Sequence, residues 1–461
     1  MKKLAILGAA AAIVASSFAA TTTSGAPTTK VMTKSQMLQN NLAYFQYGVG
    51  IDPKLNLPYD HITLDSSNTK ILTQAKYFNP TELGLYLNIM QAIVQGKIPN
   101  TMITQNQAKV RMIKTLQEMT TIQQTLSWNG LFNWYQILPN GQITSNSYGG
   151  VSTVDNGNLV WSLAGIVGGM SQYTDAQSKQ IVSLAQNIIN NETTGWSQLY
   201  FPSVGLMSGG YDYNNKQYIQ HYYLDRTYNE PRTAIVYAIC ATQNLAPDQQ
   251  VPVSAFTNEG RNYTSYTLGG KQVQLLMTWD GGFFQAYLPA LFLNETRYST
   301  LIKQQDAYLL QAQQEYMQAS GGAALESASS SVDNGYNAYG VPKTAEGVVL
   351  FGNAPATGTG TPYADGLLGT VDNAQSITML QTLAQKYPQI VTKYGFSDAI
   401  NPQGQVANTL ITLDQGMLIL GMLGNFDSSN IQTYINSHNW DAKIHSIYKT
   451  IDDQPVYKQT L

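Results

Sequence analysis

Acidic side chains in this chain gather in polar loops and at helix mouths. Asp155, Asp212, Asp225, Glu230, Asp280, Glu326, Asp333, Asp398 and Asp414 stand beside aromatic, Gly or Asn residues, not in Glu/Lys ladders along helix faces. Two carboxyls facing one cleft suffice for glycoside hydrolysis: one, kept protonated, donates to the leaving oxygen, and the other activates water or attacks the anomeric carbon. For any one acid alone, a helix cap or loop hydrogen bond is the plainer role. Glu326 lies among small residues with no Lys or Arg nearby, which makes it the leading candidate for proton donor. Asp398, between Phe396 and Ala399-Ile400, is the best partner, as base or nucleophile. Glu230 opens a helix in YNEPRTAIVYAI, where the helix N-terminus favours the charged form. It can serve as an acid only if an apolar surrounding or a second carboxylate overrides that effect. Asp155 heads the helix of VSTVDNGNL, where capping is its simplest role, with substrate binding the alternative. Asp280 and Asp414 complete the polar candidates for sugar binding. Trp134, Tyr211, Tyr336 and Tyr339 are candidate platforms for sugar rings, while core packing is the stronger reading for Trp279.

Other chemistries lack their residues. His61, His221, His438 and His445 are scattered, with no HExxH or Cys/His ligand spacing, so no transition-metal site and no cofactor are expected. GxSxG, Walker and GxGxxG patterns are also absent. The single cysteine, Cys240, has no partner for a disulfide and lies in an apolar stretch, as a small core residue does. Charged residues are only 11% of the 461 and the net charge is −3, which leaves no basic surface for nucleic acid. Polarity comes instead from Asn, Gln, Ser and Thr alongside 30 Tyr and 6 Trp. These suit an uncharged oligo- or polysaccharide, with its many hydroxyls and apolar C–H faces.

The elements that must position these residues are helical. Apolar residues three and four apart predict helices over 35–47, 81–97, 106–126, 157–170, 174–191, 228–243, 282–294, 298–318, 373–387, 413–424 and 428–437. Long Gly/Asn/Tyr-rich loops over 139–156, 193–225, 320–342 and 351–371 separate helix pairs and would carry the site. This alternation predicts an all-α fold, an (α/α)6 toroid with long loops on one rim, as a single domain over 35–461. The tail after about residue 440 is less clearly packed. At the N-terminus, Lys2-Lys3, the apolar run Leu4–Val14 and small residues around Ala19-Ala20 read as a signal peptide over 1–20. That run is too short to span a membrane, so no transmembrane anchor is expected after cleavage. Residues 21–34, rich in Thr, Ser, Gly, Ala and Pro, read as disordered or a tether.

Seven segments in order carry a family resemblance: GLFNWY (130–135), VSTVDNGNL (151–159), YYLDRTYNEPRTAIVYAI (222–239), TWDGGFFQAYLPALFL (278–293), ALESASSSVDNGYNAYGVP (324–342), KYGFSDAIN (393–401) and LDQGMLILGML (413–423). Together they resemble the glucoamylase-like group that includes β-1,2-glucanases and the transglycosylase domain of cyclic β-1,2-glucan synthases. The resemblance implies an (α/α)6 toroid and action on a β-linked glucan, β-1,2-glucan first. It keeps a Glu-x-Arg pair as Glu230 and Arg232, implying substrate binding or catalysis there. Asp398 stands where the synthases have Glu, as in the hydrolytic members. Leu325 replaces a Ser, and a Trp-Gly before the Glu326 loop gives way to Gly321–Leu325, which weakens the carry-over on the acceptor side. Residues before 130 are not covered. The reading is an exported, periplasmic or secreted glycoside hydrolase. The alternatives are a β-glucan transglycosylase and a non-catalytic glycan-binding or surface-assembly protein on the same fold.

Overall fold

Four of the chain's helices are apolar on almost every side, and these organise the rest, because such a helix must be buried all round. Helix α2 (Pro80–Val94) is buried at every position, and α14 (Thr412–Met422) and α4 (Thr153–Met170) at nearly every one. In α6 (Arg232–Ala241) all but the last residue is buried. The computed structural model describes residues 31–99, 102–146, 149–332, 335–347 and 358–457. The expected signal peptide and most of the expected tether lie outside them. The last tether residues are docked: the Met32 carbonyl accepts from Gln381, and Thr33 caps α1 (Lys34–Leu42).

The remaining helices are α3 (Gln105–Leu126), α5 (Ala176–Gln198), α7 (Ser254–Thr257), α8 (Phe283–Tyr287), α9 (Pro289–Phe292), α10 (Glu295–Tyr298), α11 (Thr300–Ser320), α12 (Pro362–Leu367), α13 (Asn373–Lys386), α15 (Phe426–Ser437) and α16 (Asp441–Asp453). Contacts run from α2 to α4, α4 to α6, α6 to α9, α8 to α12, α12 to α14, and from α14 back to α2. Outside them, α3 and α5 cover α2 and α4, α11 covers α8, α13 covers α12, and α1 covers α14. Small residues permit the inner approach. A Cβ on Gly157 would lie 2.3 Å from that of Ala234, and one on Gly421 would lie 2.3 Å from the Gly366 carbonyl oxygen.

Helices dominate, but the expected all-α chain also carries strands of two to six residues. Several end where an inner helix starts. Tyr77–Phe78 precedes α2 and pairs with Tyr135–Ile137; Val151–Ser152 precedes α4 and pairs with Gly210–Asp212. Thr409–Ile411 precedes α14 and pairs antiparallel with His61–Leu64, with His61 opposite Ile411. Short extended segments flanked by Gly and Asn give little period-2 signal, and their pairing is decided by distant partners. Two helices fall in stretches read otherwise: α12 inside the expected loop 351–371, and α16 in the tail, where Ile444, Ile447, Tyr448 and Ile451 are buried. Residues 31–461 form one compact unit, and Cys240 is buried in it. Among the described residues, no helix is long and apolar enough to cross a membrane.

Candidate active site

The inner helices bring acids to one place through a shared local device. Glu82, Asp155 and Asp414 are each the third residue of their helix (α2, α4, α14), and Glu230 stands two residues before α6. Carboxylates are favoured at helix N-termini by the exposed N–H groups and the macrodipole. Glu82 completes a capping box with Asn79, and the Ser152 hydroxyl caps α4 by accepting from the Asp155 N–H.

A cavity of about 510 Å³ is lined by Asp60, Glu82, Asp155 and Glu230, by the aromatic rings of Tyr77, Trp134, Tyr222, Phe284 and Tyr336, and by His61, Asn79, Thr81 and Ser330. Tyr336 and Tyr222 are exposed at its edge, 60% and 46%. Asp155 accepts from the Thr81 hydroxyl at 2.7 Å and from the Trp134 indole N–H at 2.9 Å, one donor on each carboxyl oxygen. Asn158 donates through its amide to Glu230 at 2.7 Å and to the Thr81 hydroxyl oxygen at 3.1 Å. Glu230 and Asp155 are therefore tied by three consecutive hydrogen bonds. Burial, and then the nearby Asp155, push the Glu230 carboxyl up to about 8, against the Asn158 hydrogen bond. Burial, and then Asp60, hold Glu82 well above the ordinary carboxylate range.

The other expected residues are distributed as follows. Asp398 and Asp414 are buried and are not among the residues lining the cavity, although the N–H of Ser330, which does line it, donates to Asp398 at 2.6 Å. Burial, and then Asp398, keep Asp414 well above the usual range. Asp280 is buried, accepts from the Gly282 N–H at 2.8 Å, and is pushed up to about 6 by burial. Glu326 is not brought to the cavity. Its N–H donates to Gln313, its carboxyl accepts from the Gly358 N–H, and burial pushes it up to about 8. Local sequence shows a loop without cations, but not which way the loop turns its carboxyl. Tyr211 stacks on Trp128, with ring centroids 4.4 Å apart, and is not among the residues lining the cavity; Tyr339 is buried. Asp333 lies outside the described residues.

Arg232 is also placed away from the cavity. It is fully buried, forms a bidentate pair with Glu295 (both N–O distances 2.7 Å), and donates to the Asn229, Gln285 and Ala286 carbonyls. Tyr448 donates to the same Glu295 at 2.6 Å. Arg232→Met should therefore cost about 3–5 kcal/mol of stability by leaving Glu295 uncompensated. Urea unfolding measures this; full stability with a raised KM would instead make Arg232 a substrate-binding residue.

Asp60, Tyr77, Thr81, Glu82 and Tyr222 line the cavity but escaped the sequence reading. The Asn79-x-x-Glu82 capping box was a usable signal, as was the recurring Thr followed at one or two residues by an acid in Thr81-Glu82, Thr153-x-Asp155 and Thr412-x-Asp414. Asp60 had none, since it arrives through the pairing of His61 with Ile411. Among the described residues, no group of three or more His, Cys, Asp or Glu could hold a metal ion.

Glu82, Asp155 and Glu230 thus bring three carboxyls from helix N-termini to one aromatic-lined cavity. Residues 221–439 match the model of the Glycoamylase family, described as "Putative glucoamylase". The fold is similar to that of an endo-β-1,2-glucanase from Talaromyces funiculosus in complex with sophorose, at 13% identity over 92% of this chain and 90% of that one, with a TM-score of 0.80. It is also similar to an endo-β-1,2-glucanase from Chitinophaga pinensis with sophorotriose and glucose, at 14% identity over 91% and 98%, TM-score 0.68. No curated protein matches the chain in sequence. The resemblance to the glucoamylase-like and β-1,2-glucanase group thus holds in the sequence of 221–439 and in the fold of nearly the whole described chain.

Proposed function

We propose that this protein is an exported glycoside hydrolase of the (α/α)6 toroid type that cleaves a β-linked glucan, β-1,2-glucan first, with Glu230 as proton donor. The observation that carries the reading is the pairing of Glu230 with Asp155 across one cavity. Burial pushes the Glu230 carboxyl up to about 8, whereas both oxygens of Asp155 accept hydrogen bonds, from Thr81 and Trp134. The linking bonds of 2.7, 3.1 and 2.7 Å keep the two carboxyls within the ~5–10 Å that glycosidase pairs span. Glu230 protonates the glycosidic oxygen as the C–O bond breaks, and Asp155 takes a proton from the attacking water or bonds to the anomeric carbon. Trp134, Tyr222 and Tyr336 supply ring faces for sugars. The choice of β-1,2-linkage draws on the endo-β-1,2-glucanases of similar fold, and the toroid on the succession of inner contacts that returns from α14 to α2.

Incubation with a panel of linkage-defined β-glucans, followed by product sizing, tests the reading. Release of short oligomers from one linkage is expected, with Asp155→Asn slower by roughly 10²-fold or more. Binding without release from any glucan would make the protein a glycan-binding one, and rings among the products would make it a transglycosylase. Export rests on Lys2-Lys3, the apolar run and the small residues at Ala19-Ala20. N-terminal sequencing of protein recovered outside the cytoplasm should begin near residue 20 or 21. An intact Met1 on cytosolic protein would overturn export.

A further inference from the structure

Glu230 and Tyr222 border a second cavity as well as the first. This one, about 420 Å³, is lined also by Arg226, Asn229, Trp279 and Gln285 and does not reach Asp155, Asp60 or Glu82. Trp279 is 37% exposed, and the Arg226 guanidinium lies 4.7 Å from its ring centroid. Arg226 is itself held by Asp225 and, at 3.1 Å, by Glu346, so its charge is already matched. The Trp279 backbone N–H donates to the Asn229 side-chain oxygen at 2.9 Å, and Asn229 is the neighbour of Glu230. The Glu230 N–H points at the Gln285 amide oxygen, 3.4 Å away. The backbone at Trp279 is therefore tied to the residue beside the proton donor, and the ring itself packs against the Arg226 guanidinium.

We propose that this second cavity takes the leaving-group side of the glucan chain and that Trp279 is the platform on which the departing sugars stack. The inference rests on the hydrolase reading and adds the direction in which the chain lies. A general acid must stand at the oxygen it protonates, while the carboxyl that serves the anomeric carbon stands beside the sugar that keeps that carbon. Asp155 borders only the first cavity, so that sugar lies there. The oxygen that receives the Glu230 proton leaves with the portion in the second, and water supplies the hydroxyl that replaces it. An aromatic face held by an already paired guanidinium, flanked by the neutral amides of Asn229 and Gln285, suits an uncharged sugar chain and gives no preference for an acidic one.

The test compares Trp279→Ala and Trp279→Phe with wild type on two substrates. One is linear β-1,2-glucan, long enough to occupy both cavities. The other is a nitrophenyl glycoside of a short β-1,2-oligomer, whose leaving group is a single aryl ring. Trp279→Ala should raise KM on the glucan roughly tenfold, with a smaller rise on the aryl glycoside, and Trp279→Phe should recover most of the loss. Equal losses on both substrates would put Trp279 on the other side of the scissile bond and overturn the proposal. A glucan KM for Trp279→Ala within about twofold of wild type would also overturn it while leaving the hydrolase reading intact. Wild-type protein that cleaves neither substrate would instead remove the hydrolase reading, and this inference with it.

Discussion

Glu230→Gln should lower turnover on the glucan by at least the ~10²–10⁴-fold that a general acid contributes, with the fold retained. Glutamine keeps the volume and an oxygen that can still accept from Asn158, so what is lost is the proton. The wild-type profile of kcat/KM should fall as pH rises through about 8, where the free enzyme's Glu230 ionises. In the variant that alkaline limb should disappear from the residual activity. The variant should also be the more stable protein near pH 7, because folding no longer has to bury a carboxyl that would be ionised in the unfolded chain. Turnover within a few-fold of wild type would remove Glu230 from the chemistry, and an unchanged alkaline limb would assign it to another group.

The second large effect is on stability against pH. Glu230, Glu326 and Asp427 are pushed up to about 8, Asp306 and Asp365 to about 7, and Asp280 to about 6, in each case chiefly by burial. None of the six forms an ion pair among the described residues. Their unfolded values lie near ~4. Because the folded values are raised, the folded state binds more protons than the unfolded one between ~4 and the folded values. The stabilisation is full below ~4 and is lost as pH rises through about 6 to 8. At ~1.4 kcal/mol per pH unit per proton, even two or three of these six protons across pH 5–7 amount to roughly 6–8 kcal/mol. On a chain this long that is a fall in Tm of roughly 5–10 °C. Carboxyls held below their usual range, such as the exposed Asp65 at about 2, act in the opposite sense but only below ~4. Calorimetry at pH 5 and pH 8 measures the difference. A Tm that is flat or higher at pH 8 would mean that these acids are hydrated or paired in solution.

Much of the helical frame was legible because its signal is local. The expected helices over 81–97 and 106–126 appear as 80–94 and 105–126, since a period of 3.6 in apolar residues needs no knowledge of what the helix packs against. The helix over 441–453 carries the same period, although the tail after about residue 440 was not among the expected helices. The short ribbons were not, because Thr409–Ile411 becomes a strand only when His61–Leu64 lies beside it.

The sequence by itself placed Asp155 and Glu230 at helix mouths, in motifs whose order resembles one family. It could not determine which of them share a cavity. Glu326, in a loop without cations, looked the best donor, yet its loop turns the carboxyl onto the Gly358 N–H. Glu230 looked handicapped, because a helix N-terminus favours its ionised form. The tertiary structure puts Glu230, and not Glu326, on the cavity that Asp155 lines. Removal from water and the approach of Asp155 disfavour a second negative charge in the cavity more strongly than the helix end favours it, and both depend on segments far apart in the chain.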